Sequence, residues 1–220
     1  EKATLSLDVK RDFILRLVDA GLRDIEVGAF VRPDRVPQMA GSDALAASLP
    51  KKEGVTYWAL VPNLQGARRA LESGLEALAV FTAASETFSR RNANASRAES
   101  LHALAEVLAL GKRTRAYVST CFFCPYEGRV AAPDVVATCK ALLDMGVSEI
   151  SVGDTVGAAV PTQVEEVFGA LLKLAPAGTW AGHFHDTRGT ALANVLAALD
   201  LGISVFDSSA GGLGGCPYAP

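Results

Sequence analysis

Histidine and cysteine are scarce in this chain, with three and four residues among 220. Cys121, Cys124, Cys139 and Cys216 are too few for a disulfide scaffold in a chain of this length, and they fit a reducing compartment. Cys121 and Cys124 form a single C-x-x-C with no second pair, which reads better as thiols at a strand end than as a zinc site. No apolar run reaches the roughly 18 to 20 residues that a membrane-spanning helix needs. The net charge of −3 gives no electrostatic case for nucleic acid or an anionic membrane surface. No G-x-G-x-x-G follows the first strand-like stretch, which removes the main sign of a dinucleotide fold.

Half of the residues are apolar and 20% are charged, the composition of an ordinary globular chain able to bury a sizeable core. One domain over 1–220 is the simplest reading. The chain begins at Glu1 rather than Met and runs almost directly into a helical pattern. That leaves room for a preceding segment, a targeting peptide included. The expectation is a cytoplasmic protein if the source is bacterial.

A short phrase recurs four times: Asp19-Ala20-Gly21-Leu22, Glu72-Ser73-Gly74-Leu75, Asp144-Met145-Gly146-Val147 and Asp200-Leu201-Gly202-Ile203. Gly suits the left-handed residue that ends a helix, and the apolar residue after it can pack back on the last turn. Each phrase leads into an apolar stretch: 24–30, 77–85, 149–155 and 205–209. Further strands are expected at 56–61, 115–122 and 180–186. Between them lie helical stripes. One is Val164, Val167, Phe168, Leu171 and Leu172, with Thr162 and Glu165 at capping-box spacing. Another is Val9, Phe13 and Leu17. Seven strands alternating with helices predict parallel strands joined by right-handed crossovers. Of the two such architectures, an α/β (β/α)8 TIM barrel is expected, with its first strand and its C-terminal region outside these 220 residues.

The most informative stretch is Gly182-His183-Phe184-His185-Asp186, which holds two of the three histidines. Residues i and i+2 of a strand point to the same side, so His183 and His185 project together, roughly 6.5 Å apart along the strand. They could grip one divalent metal or simply line a polar interior. Glu26 and Asp154 sit in or near the ends of apolar strands, where a carboxylate needs a metal, a cation or hydrogen bonds. Asp154 fits an acid, a base or a helix cap equally well. Gly211-Gly212-Leu213-Gly214-Gly215-Cys216 is a loop that can move and deliver a thiol, or merely a flexible connection. Asn63 after Pro62, and a basic polar loop at Ser89-Arg90-Arg91-Asn92, could bind phosphate or could be caps and surface.

These same residues carry a resemblance. Ile25-Glu26-Val27-Gly28-Ala29-Phe30-Val31, Val36-Pro37-Gln38-Met39, Pro62-Asn63-Leu64, Ala84-Ser85-Glu86 and Cys124-Pro125-Tyr126-Glu127-Gly128 resemble the hydroxymethylglutaryl-CoA lyase family. So do Ser151-Val152-Gly153-Asp154-Thr155, His183-Phe184-His185-Asp186-Thr187 and Gly212-Leu213-Gly214-Gly215-Cys216-Pro217-Tyr218-Ala219. The likeness runs end to end in family order. The glycine–cysteine loop and the H-x-H-D-T stretch are its most specific parts.

The resemblance implies a TIM-barrel carbon–carbon lyase that splits 3-hydroxy-3-methylglutaryl-CoA into acetoacetate and acetyl-CoA, as in leucine degradation. It implies Mg²⁺ or Mn²⁺ held by His183, His185, an Asp and an Asn. The family's Asp and catalytic Arg belong to an Arg-Asp-Gly stretch, and its Asn follows the glycine loop; neither lies within these residues. It further implies catalytic roles for Cys216, His183, Asp154 and Glu26. His183 is the first candidate base and Asp154 the second; Cys216 is the proton donor. Tyr117 and Thr155 would lie around the acyl group and Asn92 near CoA. The implied partners are an acyl-CoA and a second copy in a homodimer, with no nucleic acid and no membrane. The nearest rival is a related lyase or aldol-type synthase acting on another acyl-CoA or oxo acid. A metal-dependent hydrolase and a non-catalytic acyl-CoA-binding barrel are the others.

Overall fold

All four recurring glycines adopt the left-handed backbone that the phrase predicts: φ is 104° at Gly21, 89° at Gly74, 90° at Gly146 and 85° at Gly202. Each ends its helix with the same pair of bonds. Leu22 N–H reaches Leu17 C=O, and Gly21 N–H reaches Val18 C=O; Leu75, Val147 and Ile203 repeat the longer bond to Ala70, Leu142 and Ala198. This is the Schellman arrangement, which satisfies carbonyls the helix would otherwise leave open. Leu75, Val147 and Ile203 are buried as expected, whereas Leu22 is exposed.

The computed structural model describes residues 3–213 and 216–219. In chain order its elements are α1 (Leu7–Asp19), β1 (Asp24–Ala29), α2 (Ser42–Ser48), β2 (Thr56–Leu60), α3 (Leu64–Glu72) and β3 (Ala77–Ala83). Then come α4 (Glu86–Ala93), α5 (Arg97–Leu108), β4 (Arg113–Ser119), a two-strand hairpin of β5 (Phe123–Cys124) and β6 (Gly128–Arg129), and α6 (Ala132–Asp144). The chain continues through β7 (Glu149–Asp154), α7 (Pro161–Leu171), β8 (Trp180–Phe184), α8 (Ala191–Asp200) and β9 (Val205–Phe206). Apart from the hairpin, the seven strands are those the sequence predicts. No helix among the described residues is long and apolar enough to cross a membrane.

The chain divides into two compact units. The first comprises the described residues up to 80 with 106–114, and the second comprises 81–105 with the described residues from 115 onward. In the first unit β1 and β2 are parallel neighbours, and Trp58 of β2 pairs in turn with Ala77 of β3. Arg113 stacks on Trp58 there, 4.7 Å from the ring centre, and Trp58 Nε1 donates to Asp24 at 2.9 Å. The helical stripe expected at Val9, Phe13 and Leu17 is the outer one: Val9 and Phe13 are exposed, and α1 buries Ile14 and Val18 instead.

In the second unit β4, β7, β8 and β9 lie side by side in parallel. Their core is apolar: Trp180, Phe122, Phe168, Leu142, Ile150 and Ile203 are fully buried. Each such side chain is worth about 1.5–3 kcal/mol against leaving it in water. The indole N–H of Trp180 is not stranded, since it donates to Ala175 C=O at 3.1 Å. Helix α7 starts two residues earlier than the Thr162–Glu165 spacing predicts, with Val160 and not Thr162 as its N-cap. Pro161 takes its first turn, and Gln163 Oε1 accepts from Val160 N–H. Ser89 to Asn92 is not a loop but the body of α4.

Candidate active site

Strand β8 sorts its side chains by alternation. Gly182 and Phe184 share one side: a Cβ on Gly182 would fall 2.8 Å from the Phe184 ring and 2.9 Å from Phe206, so glycine lets those aromatics close over the strand. His183 and His185 therefore take the other side. In register, His183 pairs with Gly153 of β7, where any Cβ would meet Val118 C=O at 2.9 Å.

The two imidazoles converge. Their Nε2 atoms are 3.3 Å apart. Each ring is held from behind through Nδ1: His183 by the Asp207 carboxylate at 3.0 Å, His185 by Thr155 C=O at 3.0 Å. An ionised carboxylate and a carbonyl can only accept, so both Nδ1 atoms carry the proton. In neutral rings both Nε2 atoms then present lone pairs to each other. Lone pairs that close repel unless something positive lies between them. Two nitrogens bound to one cation at about 2.1 Å, at right angles, would stand about 3 Å apart, close to the spacing here. The outer hydrogen bonds are also those that orient metal-ligating histidines. His183 and His185 thus fit one divalent ion. Among the described residues no third His, Cys, Asp or Glu joins them in a metal cluster.

Around the pair, polar side chains at the strand ends are linked in sequence. Ser85, after β3, bonds Thr120, after β4, at 3.1 Å; Thr120 N–H donates to Thr155 Oγ1, after β7, at 2.7 Å; and Thr155 C=O holds His185. Thr120 pays for this with an unusual backbone, φ 58°. Sites at the carboxyl ends of parallel strands are the rule in such folds. Tyr117 of β4 meets His183 edge-on, ring centres 5.9 Å apart.

Three of the residues predicted from sequence take positions that redefine them. Asp154 is fully buried, and its two oxygens accept from Ala158 N–H and Ala159 N–H at 3.1 and 3.0 Å. Burial raises its pKa above the ordinary carboxylate value, against the pull of those amides. It is thus placed to hold the loop after β7, each oxygen accepting one amide and keeping a second lone pair. The Thr155 hydroxyl accepts from Thr120 N–H and keeps its own O–H to donate. Asn63 caps α3, accepting from Gly66 N–H at 3.0 Å, which accounts for it without phosphate.

The remaining predicted residues lie on other elements. Glu26 is exposed on β1 in the first unit, and Asn92 is exposed on α4. Cys216 is half-buried in a turn closed by Ala219 N–H to Cys216 C=O at 3.0 Å. Two of the four loop glycines before it, Gly214 and Gly215, lie outside the described residues. The turn is seated by Tyr218, whose ring centre is 4.9 Å from Phe88 of α4 and whose hydroxyl is 3.4 Å from that of Tyr126.

Sequence reading missed Asp207. Besides His183 it accepts from Ser151 Oγ at 2.6 Å and pairs with Arg115 Nη2 at 2.9 Å. Burial pushes its pKa up, but His183, Arg115 and Ser151 outweigh that and hold it below the ordinary carboxylate value. Arg115 also contacts Glu149 at 2.9 Å and lies over Tyr117, 4.9 Å from the ring centre. Its Nε and Nη2 are buried and direct no hydrogen cleanly at an oxygen, so these are close ion pairs rather than aligned hydrogen bonds.

Comparison with known proteins places this arrangement. The HMGL-like family model matches residues 1–216. The hydroxymethylglutaryl-CoA lyase YngG of Bacillus subtilis is 49% identical over all of this chain and 75% of its own length. The crystal structure of the Bacillus subtilis HMG-CoA lyase superposes with a TM-score of 0.96 over the whole chain and 75% of that one. An HMG-CoA lyase from Acinetobacter baumannii, solved with coenzyme A and 3-methylmalate, is 34% identical with a TM-score of 0.95, over 100% of this chain and 73% of that one. The fold is thus the (β/α)8-barrel type that the strand–helix alternation predicts. The chain belongs to the HMGL-like family of carbon–carbon lyases, whose members are generally dependent on a divalent metal.

Proposed function

We propose that this chain carries the cleavage of 3-hydroxy-3-methylglutaryl-CoA to acetoacetate and acetyl-CoA. The observation that carries the reading is the convergence of His183 and His185 on one point, 3.3 Å between Nε2 atoms, with both rings anchored from behind. The matched relatives bear the name of this activity over the full chain. The finer parts of the proposal are Mg²⁺ or Mn²⁺ as the ion, a homodimer, and a cytoplasmic protein if the source is bacterial.

The chemistry is a retro-Claisen cleavage. The C3 hydroxyl loses its proton, its oxygen becomes the ketone of acetoacetate, and the C2–C3 electron pair leaves as the enolate of acetyl-CoA. His183 and His185 would hold a divalent cation, which would supply Lewis-acid polarisation of the substrate oxygens. His185 serves to hold, backed by a neutral carbonyl. His183 Nε2 cannot hold the cation and take the C3 hydroxyl proton at once, and Nδ1 is committed to Asp207, so with His183 as ligand the proton goes to Asp154, the second candidate base. Tyr117 walls the site beside His183. Cys216, carried on its loop, returns the proton to the enolate carbon. Glu26 and Asn92 enter the proposal as groups near the acyl and CoA parts, and Thr155 and Asp154 as residues that set the His185 side of the site.

The test is to incubate the protein with hydroxymethylglutaryl-CoA, with and without Mg²⁺, and to assay acetoacetate. Metal-dependent acetoacetate is the expected result, with Cys216→Ala reducing turnover by at least about 100-fold while metal binding stays intact. No acetoacetate under either condition overturns the reading.

A further inference from the structure

We infer that Asp207 is the positioning residue that fixes His183 in the one tautomer able to share a cation with His185. The inference rests on the metal reading of the histidine pair and goes beyond it, because it concerns how the chain keeps an Nε2 lone pair facing its neighbour.

Two hydrogen-bond donors and one guanidinium converge on the Asp207 carboxylate. Oδ2 receives Ser151 Oγ at 2.6 Å and stands 3.0 Å from His183 Nδ1, while Oδ1 faces Arg115 Nη2 at 2.9 Å. Arg115 is itself pinned on its other side by Glu149 at 2.9 Å, and its side chain is only 12% exposed. The carboxylate is therefore aimed from both ends. An acceptor held there leaves His183 no choice but to protonate Nδ1, which bares Nε2 toward His185. His185 is fixed in the same way by a backbone carbonyl, which mutation cannot remove. His183 depends instead on a side chain, and Asp207 is where its orientation can be changed by one atom.

The substitution Asp207→Asn reverses this preference. Arg115 offers only donors, so the new amide must turn its oxygen toward Arg115 and its NH₂ toward Ser151 and His183. Ser151 can reverse its hydroxyl to accept. His183 Nδ1 must then accept too, and its proton moves to Nε2. That proton points at His185 Nε2, 3.3 Å away, and fills the place of the cation with an N–H···N hydrogen bond. The same logic, a side-chain carboxylate setting an imidazole tautomer, governs serine-protease triads.

The chain has only three histidines, so each ring is readily assigned by two-bond ¹H–¹⁵N correlation on the metal-free protein, at a pH where the imidazoles are neutral. The wild type is expected to show His183 as the Nδ1–H tautomer and Asp207→Asn to show it as Nε2–H. Mn²⁺ added alone is expected to bind Asp207→Asn about 10- to 100-fold more weakly. Ser151→Ala removes one donor without touching the Arg115 or His183 contacts, and is expected to keep the wild-type tautomer and bind Mn²⁺ within about 3-fold. An Nε2–H tautomer in the wild type overturns the inference even if Asp207→Asn fails to fold. So does wild-type Mn²⁺ affinity in a folded Asp207→Asn. Neither readout uses substrate, so absence of acetoacetate with the expected tautomers would fail the lyase reading and leave this one standing.

Discussion

The amide of Thr120 donates to the hydroxyl of Thr155 at 2.7 Å, tying the loop after β4 to the loop after β7. Thr120 is wholly buried and Thr155 nearly so. Thr155→Val keeps the shape and removes the acceptor, leaving a buried N–H unpaired. A cost of about 1–3 kcal/mol is expected. Urea unfolding of the variant measures it; an unchanged midpoint would show that the bond adds nothing to stability.

Gly157 lies directly against Thr187. A Cβ there would sit 2.6 Å from Thr187 Oγ1 and 2.7 Å from its amide, and φ is 64°. Gly157→Ala is expected to lose on the order of 1–3 kcal/mol for the backbone alone. It should also weaken Mn²⁺ binding, because the loop it displaces carries the Thr155 carbonyl that holds His185. Thermal unfolding and a Mn²⁺ titration separate the two effects. Wild-type values in both would contradict the loop's role.

Much of this was legible from local rules. The four helix-ending glycines reveal themselves because a left-handed residue followed by an apolar one is a local requirement, met within six residues. The histidine pair shows through because a strand alternates with period two. What stayed hidden depended on distant partners. Asp207 reads as a polar strand end, and nothing near it points to His183, Ser151 or Arg115. Ser89 to Asn92 reads as a loop because it is basic and polar, yet it is helical; its first turn is capped from Glu127, which accepts from Thr87 N–H 40 residues away. Asp154 reads alike as base or cap, and its oxygens do accept from Ala158 and Ala159, four and five residues on, the local contact a cap requires.

The cysteines divide by burial. Burial pushes the Cys139 thiol up to about 12, and Cys121 also rises well above the ordinary value. Both stay protonated at neutral pH, so native alkylation should label Cys216 and spare these two. The Cys139 shift also sets a pH dependence. Its folded-state value lies above the 9.0 of an unperturbed thiol, so the folded protein holds that proton more tightly than the unfolded chain. Stability from this group is complete below pH 9 and declines as pH rises from there toward 12. Cys139→Ala should show a shallower loss of stability across that window, read from urea midpoints at several pH values. An identical slope would remove Cys139 as its cause.

The central claim is that His183 and His185 share one divalent cation. Isothermal titration of the metal-stripped protein with Mn²⁺, beside His185→Ala, tests it most directly. One equivalent bound by the wild type, and binding at least about 100-fold weaker in a folded His185→Ala, is the expected result. Equal binding by the two proteins would contradict it.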